Sequence, residues 1–400
     1  MFETPKASRT VIAILGRVNS GKSTLMNAIC DQDVSITSSV PGTTTDIVEK
    51  SVELCGFGPV LFLDTPGDDD RSVLGARRLK KLAHALERVD AAIYLIPSGS
   101  YPIMEDEEYI VYLMSRNIPV IGVISFKDIG GDTSFTKKFF ADREIPFLEV
   151  NSFEKADAGD LIKLIIRHFP KHETPSILSG LDIGEGVIVT VVPVDSEAPA
   201  GRLILPQSQF IRGVLDAGRS VLAVRDKELR EALKSLREPP ALVITDSQAY
   251  GEIRDIVPEE VPLTSFSILY ASIKGDLGTF ISGMKALERG DVKNVHIAEA
   301  CSHNVTHEDI GRVKIPKFLK EKLGHKIAVT YSTGRDFSYQ VRPDVVIHCG
   351  GCMLTKREMF SRLEKICGDG IPVTNFGLVI AWYFGILERV VSPYKKAVGV

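Results

Sequence analysis

The sequence predicts an α/β fold divided into three domains, and three observations support this. Its 400 residues exceed the roughly 100 to 200 residues of one domain. Short runs rich in Val, Ile and Leu alternate with amphipathic stretches, which is typical of sheets covered by helices. Polar, Pro-containing segments at 170–175 and 258–262 interrupt this alternation twice. We therefore predict domains at residues 1–170, 178–260 and 263–400.

The first domain is predicted to contain a parallel sheet with helices on both faces, because its strands are apolar throughout. These strands are predicted at 11–15, 60–64, 91–96, 120–124 and 146–150, with helices at 73–87 and 158–169. The second domain has predicted strands at 186–193, 220–224 and 241–245 and helices at 207–215 and 226–236. The third has predicted strands at 294–299, 326–331 and 344–348 and helices at 278–288, 316–323, 356–367 and 376–387.

The composition excludes several classes of protein. Hydrophobic residues make up 44% and charged residues 25% of the chain, which excludes a disordered or collagen-like protein. The formal net charge of −4 offers no general affinity for nucleic acid. The longest apolar run, at 376–387, is shorter than the roughly 20 residues of a membrane span. We expect a cytoplasmic protein that binds neither membranes nor nucleic acid.

A phosphate-binding loop follows the first predicted strand. Gly16 to Thr24 reads GRVNSGKST, which fits the pattern GxxxxGK[ST] and begins a helical stretch. The backbone N–H groups of such a loop surround phosphate oxygens, and the helix N-terminus adds partial positive charge. We expect Lys22 to reach the β and γ phosphates and the Ser23 hydroxyl to hold Mg²⁺.

Two downstream motifs favour a GTPase over a general ATPase. Asp64-Thr65-Pro66-Gly67 ends a hydrophobic strand and has the DxxG pattern. In that pattern the Asp contacts Mg²⁺ through water and the Gly N–H senses the γ-phosphate. Residues 41–46 read PGTTTD and lie where a switch loop belongs. A Thr in such a loop completes the Mg²⁺ shell only while the γ-phosphate is present.

These motifs resemble the translation-factor-like GTPases, in particular the Era and TrmE-like branch. The resemblance covers the first domain and implies a catalytic set of Lys22, Thr44, Asp64 and Gly67, with Thr44 as a Mg²⁺ ligand. It also implies Asn19 as a K⁺ ligand, because Asn occupies this position in K⁺-stimulated members. A K⁺ ion there would place positive charge beside the transferring phosphoryl group. The implied nucleotide site comprises Asn19, Ser20, Gly21, Lys22, Ser23, Thr24, Asp64, Gly67, Asp128 and Ser152.

The chain departs from these relatives at two places. Their guanine-specifying motif Asn-Lys-x-Asp reads Ser125-Phe126-Lys127-Asp128 here. Asp128 is kept, and its carboxylate can accept both guanine N–H groups that adenine does not offer. The residue after Gly67 is Asp68, which is neither the water-orienting Gln of Ras-like enzymes nor an apolar substitute. We therefore expect slow hydrolysis, as in a switch protein.

A second chemical signal lies in the last third of the chain. Cys301-x-His303 and His348-Cys349-Gly-Gly-Cys352 each follow a predicted strand, and carboxyl ends of parallel strands collect ligands. The set Cys301, His303, Cys349 and Cys352 suits structural Zn²⁺, and the cysteines also suit an iron–sulfur cluster. A redox pair is less favoured, because no Lys or Arg lies within the loop. The spacing indicates a metal without identifying it.

The whole arrangement resembles the HydF family of iron-iron hydrogenase maturases. The domain order and the stretches 198–203, 245–248 and 299–303 carry this resemblance over nearly the whole chain. It implies a P-loop GTPase domain followed by a small α/β dimerisation domain and an α/β iron–sulfur-cluster domain. It also implies a 4Fe-4S cluster held by Cys301, Cys349 and Cys352, with one iron left open to exchange. His303 is our candidate for the fourth ligand.

The expected function is that of a slow, K⁺-stimulated GTPase and scaffold. By resemblance, the homodimer carries a di-iron subcluster precursor to apo-[FeFe]-hydrogenase and works with two radical-SAM maturases. The alternative is an RNA- or ribosome-associated TrmE/Era-like GTPase with a structural Cys₃His zinc domain. An oxidoreductase that uses Cys349 and Cys352 would need a thioredoxin-like context, which the sequence lacks.

Overall fold

The computed structural model describes residues 8–30, 36–40, 48–65, 85–151, 155–170, 176–193, 203–300, 309–324, 326–334 and 337–394. The chain separates into two compact units, Met1–Glu173 and Thr174–Val400. The second and third predicted domains therefore lie within one unit. None of the helices in the described ranges has both the length and the apolar character needed to cross a bilayer.

The first unit contains a seven-stranded sheet in the order β2-β3-β4-β1-β5-β6-β7. The strands are β1 (Thr10–Gly16), β2 (Ile36–Val40), β3 (Val48–Leu54), β4 (Gly58–Asp64), β5 (Ala91–Pro97), β6 (Val120–Ser125) and β7 (Phe147–Glu149). The helices are α1 (Lys22–Cys30), α2 (Met104–Ser115), α3 (Ser134–Ala141) and α4 (Lys155–His168). The predicted helix at 73–87 lies mostly outside the described residues.

The sheet of the first unit is mixed, which corrects the prediction of a parallel sheet. Strands β4, β1, β5, β6 and β7 are parallel, whereas β3 is antiparallel to β4 and to β2. The turn between Leu54 and Gly58 is too short for the crossover that parallel neighbours require. Alternate residues of β1 enter two hydrophobic clusters, with Ile12 in one and Val11 in the other. Both faces of the sheet are therefore buried, as its apolar strands predict.

The second unit contains two four-stranded parallel sheets, in the orders β11-β10-β8-β9 and β13-β12-β14-β15. Their strands are β8 (Ile188–Val191), β9 (Val221–Val224), β10 (Leu242–Thr245), β11 (Leu263–Ser265), β12 (Asn294–Glu299), β13 (Ala328–Thr333), β14 (Val345–His348) and β15 (Val373–Asn375). One hydrophobic cluster includes residues of both sheets. Because β11 pairs with β10, the sheet of the second predicted domain extends into the range predicted for the third.

Most helices of the second unit lie between these strands in the chain, and the last two follow β15, the last strand. The helices are α5 (Leu205–Asp216), α6 (Leu229–Ser235), α7 (Tyr250–Ile253), α8 (Phe266–Lys274), α9 (Leu277–Glu288), α10 (Ile315–Leu323), α11 (Lys356–Gly368), α12 (Phe376–Tyr383) and α13 (Leu387–Val391). The apolar run at 376–387 was predicted as one helix, and this is wrong. Helix α12 ends at Tyr383 because Gly385 adopts φ +75°, a left-handed conformation that terminates helices.

Candidate nucleotide site and cysteine loop

The phosphate loop connects β1 to α1, as the motif predicts. Asn19 is exposed and has φ +59°, a left-handed conformation that Asn tolerates better than most residues. Lys22 is buried, and its Nζ donates to the carbonyl oxygens of Gly16 at 2.8 Å and Arg17 at 2.6 Å. The ammonium therefore lies across the mouth of the loop, where phosphate oxygens can replace these carbonyls as acceptors.

Ser23 and Asp64 form the candidate Mg²⁺ site at the end of β4. The Ser23 hydroxyl donates to Asp64 Oδ2. Asp64 Oδ1 is buried and has no hydrogen-bond partner within the part of the chain that the structure describes. Burial raises the pKa of Asp64, whereas the Ser23 hydroxyl and the Lys22 ammonium lower it. A buried carboxylate oxygen without a partner beside a hydroxyl fits a hard cation such as Mg²⁺.

An ion pair anchors the phosphate loop from outside. Arg17 Nε contacts Asp106 Oδ1 at 3.2 Å, and the Arg17 guanidinium also pairs with Oδ2 of this fully buried carboxylate at the start of α2. The Tyr94 hydroxyl donates to Asp106 Oδ1 at 2.9 Å. Asp106 carries no sequence signal for this contact, because an acidic residue in a helix's first turn is common without one.

The altered guanine motif lies at the end of β6 and contacts the phosphate loop. The buried Ser125 hydroxyl donates to the Ser20 carbonyl oxygen at 2.8 Å. Phe126 is half-buried with φ +59°, and Asp128 is exposed. The backbone N–H of Asn151 donates to Asp157 Oδ2 at 2.6 Å. Ser125 therefore joins β6 to the phosphate loop through a hydrogen bond.

The cysteine loop (residues 349–354) follows β14 at the carboxyl edge of its sheet. The Cys349 N–H donates to the Ala298 carbonyl oxygen at 2.9 Å, and the Ala300 N–H donates to Cys349 Sγ at 3.1 Å. Gly351 has φ +64°, and a Cβ there would lie 2.2 Å from Met359 Cε. The left-handed conformation therefore favours glycine at this position.

Burial keeps the two loop thiols protonated when no metal is bound. Burial raises the pKa of Cys349, and backbone N–H groups of Gly351 and Ala300 lower it in part. Burial and the neighbouring Cys349 raise the pKa of Cys352 to about 11. A metal bound here must therefore displace protons, as metals bound by thiolates do.

His348 is fully buried and both of its ring nitrogens have protein partners. Nδ1 donates to the Cys349 carbonyl oxygen at 2.7 Å, and Nε2 accepts from the Arg362 guanidinium at 3.2 Å. Burial and Arg362 lower the pKa of His348 to about 3. In this conformation the neutral ring supports the loop and has no nitrogen left to bind a metal.

Several predicted site residues lie outside the described residues: Thr44, Gly67, Ser152, Cys301 and His303. Within the described ranges, no group of three or more His, Cys, Asp or Glu side chains could hold a metal ion. The predicted roles of these five residues, and the ligand set that includes Cys301, stay predictions.

Comparison with known families gives three matches along the chain. Residues 11–125 match the family described as 50S ribosome-binding GTPase. Residues 177–275 match the Hydrogen maturase F dimerization domain, and residues 276–393 match the Hydrogen maturase F tetramerization domain. The chain belongs to the HydF family. The predicted fold class, a P-loop GTPase domain followed by α/β domains, is confirmed, and the HydF matches indicate an oligomer.

The curated proteins that this HydF family member resembles are GTPases by name. The tRNA modification GTPase MnmE of Endomicrobium trichonymphae is 34% identical over 125 residues, which are 30% of this chain and 26% of the relative. GTPase Der of Moorella thermoacetica is 26% identical over 290 residues, 71% of this chain and 59% of the relative. This chain therefore spans less than two thirds of either relative. Among solved structures, that of Era from Aquifex aeolicus has a sequence 21% identical to this chain and a TM-score of 0.35. The match covers 62% of this chain and 97% of that one.

The described loop of this HydF family member fits a metal centre held by thiolates. Cys349 and Cys352 supply soft donors, which suit iron–sulfur clusters and zinc. Backbone N–H groups directed at the sulfurs are the outer contacts that such centres use. Lys274 in α8 is a further residue at the loop that no motif indicated, and its Nζ donates to the Cys352 carbonyl oxygen at 2.7 Å. Its separation from the loop in the chain left no sequence signal.

Proposed function

We propose that this chain is a GTP-hydrolysing scaffold that holds a 4Fe-4S cluster and delivers a di-iron subcluster precursor to apo-[FeFe]-hydrogenase. One observation supports it beyond family membership: the Ala300 N–H lies 3.1 Å from Cys349 Sγ. Ala300 immediately precedes Cys301 in the chain. This contact supports the convergence of a third thiolate on the sheet edge that carries Cys349 and Cys352.

In the proposed GTPase, each residue of the nucleotide site has its own role. Lys22 binds the β and γ phosphates, while Ser23, Thr44 and, through water, Asp64 hold Mg²⁺. The Gly67 N–H senses the γ-phosphate, and Asn19 holds a K⁺ ion that offsets charge on the transferring group. Asp128 and Ser152 bind the base. Hydrolysis is slow, because Asp68 is a poor substitute for a group that orients water.

The metal half of the proposal gives the cysteines the role of ligands. A cluster bound by three thiolates supplies one iron whose remaining position can exchange ligands, and His303 is our candidate to occupy it. Cys349 and Cys352 would bind irons of the cluster through their sulfurs. The N–H groups of Ala300 and Gly351 would stabilise negative charge on the Cys349 sulfur. The surrounding hydrophobic cluster, which includes both cysteines at its margin, limits access of water.

The partners follow from this role. We propose that the chain forms a homodimer, acts with two radical-SAM maturases and transfers its cargo to the apo-hydrogenase. The nucleotide state changes the switch loop and thereby the affinity for these partners. Equal affinities of the GTP-bound and GDP-bound protein for both maturases, measured by calorimetry, would contradict this regulation.

The GTPase activity is tested by phosphate release in K⁺ and in Na⁺ buffers. Lys22→Ala should lower turnover by at least about 100-fold, because it removes the charge that faces the phosphates. Asn19→Ala should remove the stimulation by K⁺, so that its rates in K⁺ and in Na⁺ buffers become equal. The control is Lys163→Ala, since Lys163 is an exposed residue of α4. Turnover of tens per second without a partner would contradict a slow switch.

The metal centre is tested by the metal content and EPR spectrum of anaerobically purified protein. The proposal predicts a brown protein with about four irons per chain. Cys349→Ala and Cys352→Ala should lose the spectrum, and the control Cys367→Ala should keep it, because Cys367 is an exposed thiol of α11. A colourless protein that contains only zinc would favour the RNA-associated alternative.

A further inference from the structure

Lys274 ends α8 and lies buried against the cysteine loop, with 8% of its surface exposed. Its Nζ donates to the carbonyl oxygens of Cys352 at 2.7 Å, Leu354 at 2.8 Å and Gly351 at 3.4 Å. An ammonium group has three N–H donors, so these three carbonyls occupy all of them. Neither nucleotide binding nor thiolate ligation explains a lysine in this position.

The contacts of Lys274 determine the orientation of two successive peptide groups. In a trans peptide the C=O and the N–H point in opposite directions, and the described chain contains no cis peptide. The Gly351 and Cys352 carbonyls point at Lys274. The N–H groups of the same two peptides belong to Cys352 and Met353 and therefore point away from Lys274, and both lower the pKa of the Cys352 thiol.

We propose that Lys274 is a positioning residue for the metal centre, which holds the peptides 351–353 so that their N–H groups face the Cys352 sulfur. The inference rests on the proposed role of Cys352 as a ligand. Hydrogen bonds to sulfur stabilise negative charge on the centre and influence its reduction potential. The ammonium adds a positive charge on the far side of the same peptides, so that both effects favour the reduced, more negative state.

The test compares full-length wild-type protein, Lys274→Met and the control Lys365→Met, each purified anaerobically and reconstituted with iron and sulfide. Lys365 also donates to a backbone carbonyl, that of Phe337 at 3.2 Å, but does not contact the loop. Lys274→Met should shift the midpoint potential to more negative values and release iron to a chelator about tenfold faster. Lys365→Met should match the wild type. If Lys274→Met has the same midpoint potential and the same rate of iron release as the wild type, the proposal is overturned.

A second measurement uses protein without metal and separates this inference from the proposed function. Hydrogen exchange at the Cys352 and Met353 amides, read by mass spectrometry, should be at least tenfold faster in Lys274→Met than in the wild type. If wild-type protein binds no iron, the proposed function fails while this result can still stand. Unchanged exchange overturns the inference whatever metal is bound.

A more conservative variant keeps the test possible if Lys274→Met does not fold. If Lys274→Met loses the native fluorescence of Trp382, the chain's single tryptophan, Lys274→Gln takes its place. Glutamine retains two N–H donors without the charge, so the loop amides should exchange at an intermediate rate and the potential should still fall. Wild-type values for both quantities in a folded Lys274→Gln protein would also overturn the proposal.

Discussion

Gly283 of α9 lies directly against the backbone of β15, and a methyl group there should destabilise the second unit. A Cβ at Gly283 would lie 1.9 Å from the Val373 carbonyl oxygen and 2.5 Å from its carbonyl carbon. Both atoms belong to the backbone of β15, which pairs with β14 through Asn375 and His348. Because β14 leads directly into Cys349, β15 cannot yield without disturbing the cysteine loop.

The change in the free energy of unfolding is the cost of overpacking less the gain from the higher helix propensity of alanine. An ordinary contact of a Cβ begins at 3.4 Å, so α9 has to move by roughly 1.5 Å relative to β15. Overpacking of this kind costs about 1–3 kcal/mol or more, and here the obstacle is backbone, which cannot change rotamer. Alanine is favoured over glycine within a helix by up to about 1 kcal/mol. We expect Gly283→Ala to lower the free energy of unfolding by about 2 kcal/mol.

Urea denaturation of the metal-free chain measures this change. Trp382 is the only tryptophan in the sequence and lies in α12, shortly after β15. Its fluorescence therefore reports unfolding of the second unit. The control is Gly278→Ala in the same helix, because a Cβ there would contact only Asp276 Oδ1 at 3.4 Å. If Gly283→Ala unfolds at the same urea concentration as Gly278→Ala or a higher one, the reasoning from this close approach is wrong.

Three further predictions concern polar groups. Burial lowers the pKa of His296 to about 4, so between pH 6.5 and 4 the His296 imidazole binds a proton only in the unfolded chain. Urea titrations should show that the free energy of unfolding falls by up to ~3 kcal/mol as the pH falls through that range. An equal fall in His296→Gln would show that His296 is not its source. Asp106→Asn should weaken GDP binding about tenfold by calorimetry, because Arg17 loses its buried partner; unchanged affinity would contradict this. Ser125→Ala should weaken GDP binding about fivefold by removing a hydrogen bond to the phosphate loop, and Ser125→Thr, which keeps the hydroxyl, should not.

The sequence alone predicted those features that depend on neighbours in the chain. The five parallel strands of the first unit follow from runs of apolar residues, since burial on both faces leaves no polar alternation. The phosphate loop follows from the spacing between Gly16 and Lys22, because the nucleotide contacts are made by consecutive backbone groups. The prediction of one helix over 376–387 is wrong, because the hydrophobic pattern does not indicate the left-handed conformation of Gly385.

Only the tertiary structure decided what surrounds the predicted groups. No basic residue lies within the cysteine loop in the sequence, yet Lys274 contacts its carbonyls and Arg362 contacts His348. Asp106 likewise meets Arg17 across the first unit. These contacts join residues far apart in the chain, and their electrostatic effect depends on distance and burial. A local motif therefore identifies the groups that bind, whereas folding determines their charge environment and orientation.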